Sequence, residues 1–311
     1  MDIDVSIVIV CMNRMDNLYP CLQSIRENTK VSYETFVVAY LFDPANLERA
    51  KADFPWVTFI ESSELRGFAE NNNLALRQAR GRYTFVLNDD TEFSMPLIDT
   101  LMADFRKVPS RTAIISPRLV NADGSLQLCG RPPYPAYKYV LQQWHMYKEP
   151  IDNGKGLFRT YNITGACFLI RTDVFRELGW FDERYYFTPE DIALSTLARE
   201  KGYEVWCDAN AVVTHKWRTT ASRISPAVRP CAIKGSLIFF SRGNILRYLL
   251  LGAGVWAAEK VKCIKAYLSR RELDYQTYKH NVECIFTRQT PKEIFVKYYT
   301  ELLVEETQNR S

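Results

Sequence analysis

Residues 83–91 read Tyr83-Thr84-Phe85-Val86-Leu87-Asn88-Asp89-Asp90-Thr91. The apolar run spells a strand buried in a sheet, and it ends abruptly in an amide and two carboxylates. Ligands of open α/β sheets gather outside the carboxyl ends of the strands. Adjacent acids at that point therefore belong either to a ligand site or to a solvated turn that caps the next element. As a ligand site they can hold a hard divalent cation, which can in turn hold a diphosphate.

The flanking sequence supplies a sheet for this strand to join. Val5 to Val10 is a nearly unbroken β-branched run, the pattern of a strand covered on both faces. A turn over Cys11–Met15 leads to a helix marked by Leu18, Leu22 and Ile25. Strands at 35–41 and 56–60 enclose a helix opened by Asp43-Pro44, and residues 69–80 form a helix ending at Gly81. This alternation predicts an α/β fold, Rossmann-like, with a mostly parallel sheet, flanking helices and 83–87 as its fourth strand. Beyond residue 108 the rhythm loosens. Residues 113–116 and 164–170 read as strands, 121–124 and 179–182 as turns, and 172–178 and 188–201 as helices. Short strands at 203–206 and 211–214 lead to His215. Residues 129–161, with Pro132, Pro133, Pro135 and Pro150, read as a long, partly ordered loop. The pattern is helical from about 232 onward, giving a domain over 1–225 and a C-terminal helical region over 226–311.

Bulk properties narrow the function. A net charge of +4 over 311 residues is too weak to argue for nucleic acid as partner. The eight cysteines are scattered without a CxxC pair, which suits reduced core thiols. Met1-Asp2-Ile3-Asp4 is acidic where a signal peptide needs base, so the expected location is cytoplasmic. Residues 236–258 are apolar but interrupted by Arg242, Asn244 and Arg247, and the charge-free run Tyr248–Ala258 is about half a membrane span. Segment 234–280 is basic: Lys234, Arg242, Arg247, Lys260, Lys262 and Lys265 stand with Arg270, Arg271 and Lys279 against Glu259, Glu272 and Asp274. Such helices can lie peripherally on the inner face of a membrane or dock on the core.

Three further features carry chemistry. In Thr188-Pro189-Glu190-Asp191 the pattern is that of a helix start, with Thr188 as cap, Pro189 at the first helical position and Asp191 three residues after the cap. The same position suits a carboxylate that accepts a proton from a hydroxyl nucleophile. His215 can be structural, or can complete a metal shell or contact a diphosphate, with Lys216 and Arg218 adding anion affinity. Gly165, opening a strand, allows close backbone approach to a ligand or to a neighbouring strand.

Together these residues resemble the inverting glycosyltransferases of family 2, of GT-A fold, in their rhamnosyltransferase-like variant. The resemblance runs from about residue 4 to 222. It is carried most specifically by Thr164-Gly165-Ala166-Cys167-Phe168-Leu169-Ile170-Arg171, then Phe175, Leu178-Gly179-Trp180-Phe181-Asp182-Glu183, and Glu190-Asp191. Val5 to Asn13-Arg14, Gly67-Phe68-Ala69 with Asn73, and Asn88-Asp89-Asp90-Thr91 match in the same order.

The resemblance implies a metal-dependent, inverting transfer of a sugar from a nucleoside-diphosphate donor, a UDP- or dTDP-sugar. The acceptor it implies is a hydroxyl of a glycan or lipid-linked glycan, in surface polysaccharide synthesis. Asp90, with Asp89 and His215, would hold Mg²⁺ or Mn²⁺. Asp191 would be the general base and Glu190 would hold the acceptor. Asn13, Arg14, Asp43, Asn73, Asp89 and Gly165 would line the donor site. Three departures from the family pattern bear on this. Ala39 to Pro44 replaces the usual nucleobase-gripping segment, Ala193 stands where a further acid is common, and Trp217 lies where a Gly is common. A catalytically silent carbohydrate-binding relative is the alternative. A sugar nucleotidyltransferase is disfavoured, because residues 11–15 lack the Gly-rich, Arg/Lys-containing loop such an enzyme needs.

Overall fold

The β-branched run at the start of the chain becomes the strand β1 (Val5–Cys11), and its two faces feed two separate cores. Val5, Ile7, Ile9 and Cys11 point into one, with Leu18, Leu22 and Ile25 of helix α1 (Met15–Asn28). Val8 points into the other, with Phe168 and Phe175. A strand with no solvated face needs no polar alternation, which is why it reads as a continuous apolar run. The computed structural model describes residues 3–127, 130–150, 154–216 and 224–308.

The chain continues through β2 (Tyr33–Tyr40), α2 (Pro44–Asp53), β3 (Val57–Ser62), α3 (Phe68–Leu76) and β4 (Tyr83–Asn88). Strands β1 to β4 pair in parallel in the order β3-β2-β1-β4, with Val8 opposite both Phe36 and Val86. The sheet then turns mixed. The two-residue strand β5 (Thr91–Glu92) and helix α4 (Leu97–Asp104) precede β6 (Thr112–Val120). After them come helix α5 (Ala136–Gln143), β7 (Leu157–Thr160), β8 (Cys167–Arg171), α6 (Thr172–Glu177), α7 (Glu190–Glu200) and β9 (Glu204–His215). The nine strands follow the order β3-β2-β1-β4-β8-β6-β9-β5, with β7 on β9. β8 runs antiparallel to β4 and β6, while β6 and β9 are parallel. Helices α8 (Ser225–Ser241), α9 (Ile245–Leu268), α10 (Glu272–Cys284) and α11 (Pro291–Gln308) complete the chain.

Two compact units emerge. One comprises Met1–Pro133, Pro150–Asp182 and Glu190–Thr219; the other comprises Tyr134–Glu149, Glu183–Pro189 and Thr220–Ser311. In the second unit Tyr139 stacks on Phe240 at 5.1 Å, Tyr186 packs on Phe295 at 5.0 Å, and His280 stacks on Tyr298 at 3.8 Å. Buried Lys234 donates to the Tyr248 hydroxyl at 2.8 Å and to the carbonyls of Ile285 and Thr287, so this lysine anchors a helix end instead of serving the surface.

Several expectations change. Segment 129–161 is not loop throughout: its described residues include α5 and β7, whose partners are remote in sequence, the former under Phe240 and the latter in register with Asp208. Helix α3 stops at Leu76, not at residue 80, because the backbone N–H groups of Arg80 and Gly81 donate to Ser6 Oγ at 3.1 and 2.8 Å. Helix α7 begins at Glu190; Thr188, at φ +132°, does not cap it. The two strands before His215 are one, β9, with a register shift between Pro117 and Arg118 of β6. The described cysteines are free thiols, buried except half-buried Cys263, and Cys129 lies outside the described residues. Among the described residues no helix is long and apolar enough to cross a membrane.

Candidate functional site

Parallel pairing brings the carboxyl ends of β1, β2 and β4 to one edge of the sheet, and the loops leaving them form the site. After β1, Asn13 adopts φ 51°, a left-handed conformation that asparagine tolerates. Its Oδ1 accepts from the Asp43 backbone N–H at 3.2 Å and from Asn46 Nδ2 at 3.0 Å. Asp43 caps α2 by accepting from the Ala45 N–H at 2.9 Å. Arg14 forms an ion pair with Asp16 at 2.7 Å. Asn73 is buried, with its amide bonded both ways to the Phe181 backbone at 2.9 and 3.2 Å. The structure therefore keeps Asn13, Arg14 and Asp43 at the edge. The Asn73 amide ties helix α3 to the turn at Phe181.

After β4 the acidic turn is folded back by β5, which pairs antiparallel with the end of β9, Thr91 opposite His215. The Lys216 N–H donates to the Asp90 carbonyl at 2.9 Å. This pairing sets His215 Nε2 at 3.3 Å from Asp90 Oδ1, both side chains being largely buried. Gln127 fixes the imidazole. Its Nε2 donates to the His215 carbonyl and to Asn121 Oδ1, each at 2.6 Å, which turns Gln127 Oε1 toward His215 Nδ1 at 2.8 Å. Gln127 thus fixes the ring through Nδ1, and Nε2, which also lies 3.5 Å from Asn88 Nδ2, faces the Asp90 carboxylate. Asp90 Oδ1 is buried and accepts no hydrogen bond. Asp89 turns toward the Cys11 thiol of β1; burial first, opposed by that thiol and reinforced by the Asp90 charge, pushes its carboxyl up to about 7.

The residues fit a divalent cation in part. A buried carboxylate oxygen that accepts no hydrogen bond and an imidazole nitrogen lie 3.3 Å apart, and both are suitable donor types for Mn²⁺ or Mg²⁺. Among the described residues no three His, Cys, Asp or Glu groups gather to enclose a metal. Such a cation would draw its remaining ligands from water and from substrate phosphate.

The second acidic pair reaches the same edge through β8. The Asn88 N–H donates to the Ala166 carbonyl at 2.9 Å, and the N–H of the preceding residue, Gly165, donates to Asp191 Oδ2 at 3.1 Å. Two consecutive residues thus bridge the acidic turn and the start of α7. A Cβ at position 165 would lie 3.4 Å from that of Asp191, so glycine leaves room at this crossing. Asp191 Oδ2 also meets Arg131 Nη1 at 3.2 Å, and its Oδ1 accepts from the Ile192 N–H at 2.7 Å. Glu190 is buried, its Oε2 lacks a partner, and burial first, then the Asp191 charge, pushes its carboxyl up to about 8. Burial and the Asp191 charge therefore favour the protonated form of Glu190, while Asp191 accepts from two backbone N–H groups and lies against Arg131.

Arg131 and Gln127 were not expected from the sequence. Arg131 sits between Gly130 and Pro132-Pro133, in a stretch without periodicity, and its bridge to Asn162 is what places it. Gly130 is the one local signal: a Cβ there would meet Thr160 Oγ1 at 2.7 Å, which marks a close crossing. Trp217 and Arg218 lie outside the described residues.

The profile of glycosyl transferase family 2 matches residues 6–179, more than half of the chain, from the second residue of β1 through β8 and α6. The chain belongs to glycosyl transferase family 2. Among curated relatives, an O-antigen biosynthesis protein of Myxococcus xanthus is 26% identical over 166 residues, covering 50% of this chain and 12% of that protein. An N-acetylglucosaminyl-diphospho-decaprenol L-rhamnosyltransferase of Mycobacterium tuberculosis is 25% identical over 154 residues, covering 44% of this chain and 48% of the relative. The chain thus spans about half or less of the length of the curated relatives it matches. Among solved structures, GalNAc-T7 with UDP, GalNAc and Mn²⁺ superposes with a TM-score of 0.57 at 18% identity, over 79% of this chain and 52% of that one. A mannosyltransferase of Pyrobaculum calidifontis with GDP-Man and Mn²⁺ gives 0.53 at 15% identity, over 96% and 86%. These likenesses establish a GT-A-like fold with added C-terminal helices.

Proposed function

We propose that this family 2 chain transfers a sugar from a nucleoside-diphosphate donor to a hydroxyl of a glycan or lipid-linked glycan, with inversion at the anomeric carbon. The observation that carries the reading is the contrast between two carboxylates joined through Gly165-Ala166: one faces an imidazole nitrogen, the other is held by amides and a guanidinium.

Asp90 and His215 would hold a divalent cation, which supplies Lewis-acid neutralisation of the departing diphosphate. Asn13, Arg14 and Asp43, on the loops after β1 and β2, would face the nucleoside. Asp191 would accept the acceptor hydroxyl's proton. It would do so late, as the hydroxyl acidifies while its bond to the anomeric carbon forms. Protonated Glu190 would donate a hydrogen bond to the acceptor beside it. Mn²⁺ in the two solved neighbours, and the rhamnosyl transfer named for one curated relative, support a nucleotide-sugar donor and surface glycan synthesis.

Asp191→Asn tests the assignment. It keeps the shape and the Ile192 contact but removes the base, so transfer should fall roughly 10²- to 10⁴-fold while nucleotide binding persists. Transfer at the wild-type rate by Asp191→Asn would remove Asp191 from the mechanism.

A further inference from the structure

We propose that α9 docks the protein on an anionic lipid bilayer through its solvent-facing side. Of its 24 residues, Gly252, Val255, Ala258, Glu259 and Ala266 are buried, and at helical spacing they fall on one side. The opposite side should then be polar. Instead it carries Leu246, Leu249 and Leu250 in the first turns and Val261, Ile264 and Leu268 in the last, all exposed; Leu250 is 68% and Leu268 74% accessible. Ala253 and Ala257 fill the positions between them, and Lys260 is the single charge within this face. A continuous apolar stripe of this length marks a binding surface rather than scattered exposure.

Charge decides the occupant. Exposed Arg247 and Lys265 lie along one border of the stripe, Arg242 precedes the helix, and Arg270 follows it. The helix's own acid is withdrawn: Glu259 is fully buried and taken by Lys262 Nζ and Asn281 Nδ2, each at 2.6 Å. Beyond the helix end, Arg271 is offset by Asp274 at 3.0 Å. A second copy of the chain would bring two cationic rims together, which like charges oppose. An anionic headgroup layer complements the rim while the acyl boundary takes the leucines. Exposed Trp256 and Tyr267 sit at the edge of the stripe, and such amphipathic rings favour headgroup depth. Because no described helix is long and apolar enough to cross, α9 would lie in the plane of the surface. The inference does not depend on which sugar is moved.

Flotation of the full chain with vesicles tests it. The wild type should float with phosphatidylcholine–phosphatidylglycerol vesicles, should stay behind with phosphatidylcholine alone, and should be released by added salt. Leu246→Ser/Leu250→Ser/Ile264→Ser, with unchanged circular dichroism, should lose flotation. Arg247→Gln/Lys265→Gln should bind roughly 30-fold more weakly at low salt. No flotation of the wild type, or flotation equal in the serine variant, overturns the proposal. So does a wild-type dimer on gel filtration that the serine variant makes monomeric, because the stripe then joins two copies.

Discussion

Glu190 and Asp191 are neighbours in sequence with opposite surroundings. Asp191 receives two N–H groups and a guanidinium, whereas Glu190 Oε2 receives nothing and is buried. The native state therefore keeps a proton on Glu190 that the unfolded chain releases near the ordinary value of 4.5, while the folded value lies at about 8. Between these values the folded state binds more protons, so this group's contribution falls as pH rises through the window. Urea midpoints of the wild type should decline from pH 5 to pH 8.5 relative to those of Glu190→Gln, which lacks the titrating group. Parallel curves for the two proteins would show that Glu190 is ionised throughout. Asp90, Glu190 and Asp191 were legible as acids at predicted element boundaries. Their partners Gln127 and Arg131 were not, because both lie where no local pattern exists and reach the site only through a turn and an isolated bridge.

At the scale of elements, burial on both faces explains which strands could be read. β1, β2 and β4 were legible to within two residues because a doubly covered strand is apolar throughout. α5, β7 and β5 were missed because each is stabilised by a remote partner: a C-terminal helix for α5 and β9 for the two strands. β5, only two residues long, is nevertheless what carries His215 to Asp90. The sharpest local constraint is at Gly81, where β4 leaves its turn against β1. A Cβ there would lie 2.4 Å from the Ser6 nitrogen and 2.6 Å from the Val5 carbonyl carbon, both backbone atoms that cannot move independently. Gly81→Ala should therefore destabilise the fold by about 2–3 kcal/mol, seen as a lower urea midpoint. An unchanged midpoint would mean that β1 and β4 can separate at that end at little cost.

Across the whole molecule, membership of glycosyl transferase family 2 and the GT-A-like fold account for the sheet, its mixed second half and the shared edge of the two acidic pairs. At the same edge the loop after β1 is tied down by its own side chains, Asn13 to Asp43 and Arg14 to Asp16, and α9 exposes an apolar stripe. The central claim is that Asp90 serves the leaving group and Asp191 the incoming hydroxyl. Thermal shift with UDP and dTDP, each with and without Mn²⁺, tests it most directly, since a ligand that binds the folded state raises the melting temperature by mass action. The account predicts a rise that requires a nucleotide and Mn²⁺ together, disappears in Asp90→Asn and survives in Asp191→Asn. A rise independent of Mn²⁺ and equal in Asp90→Asn, or no rise with either nucleotide, would contradict it.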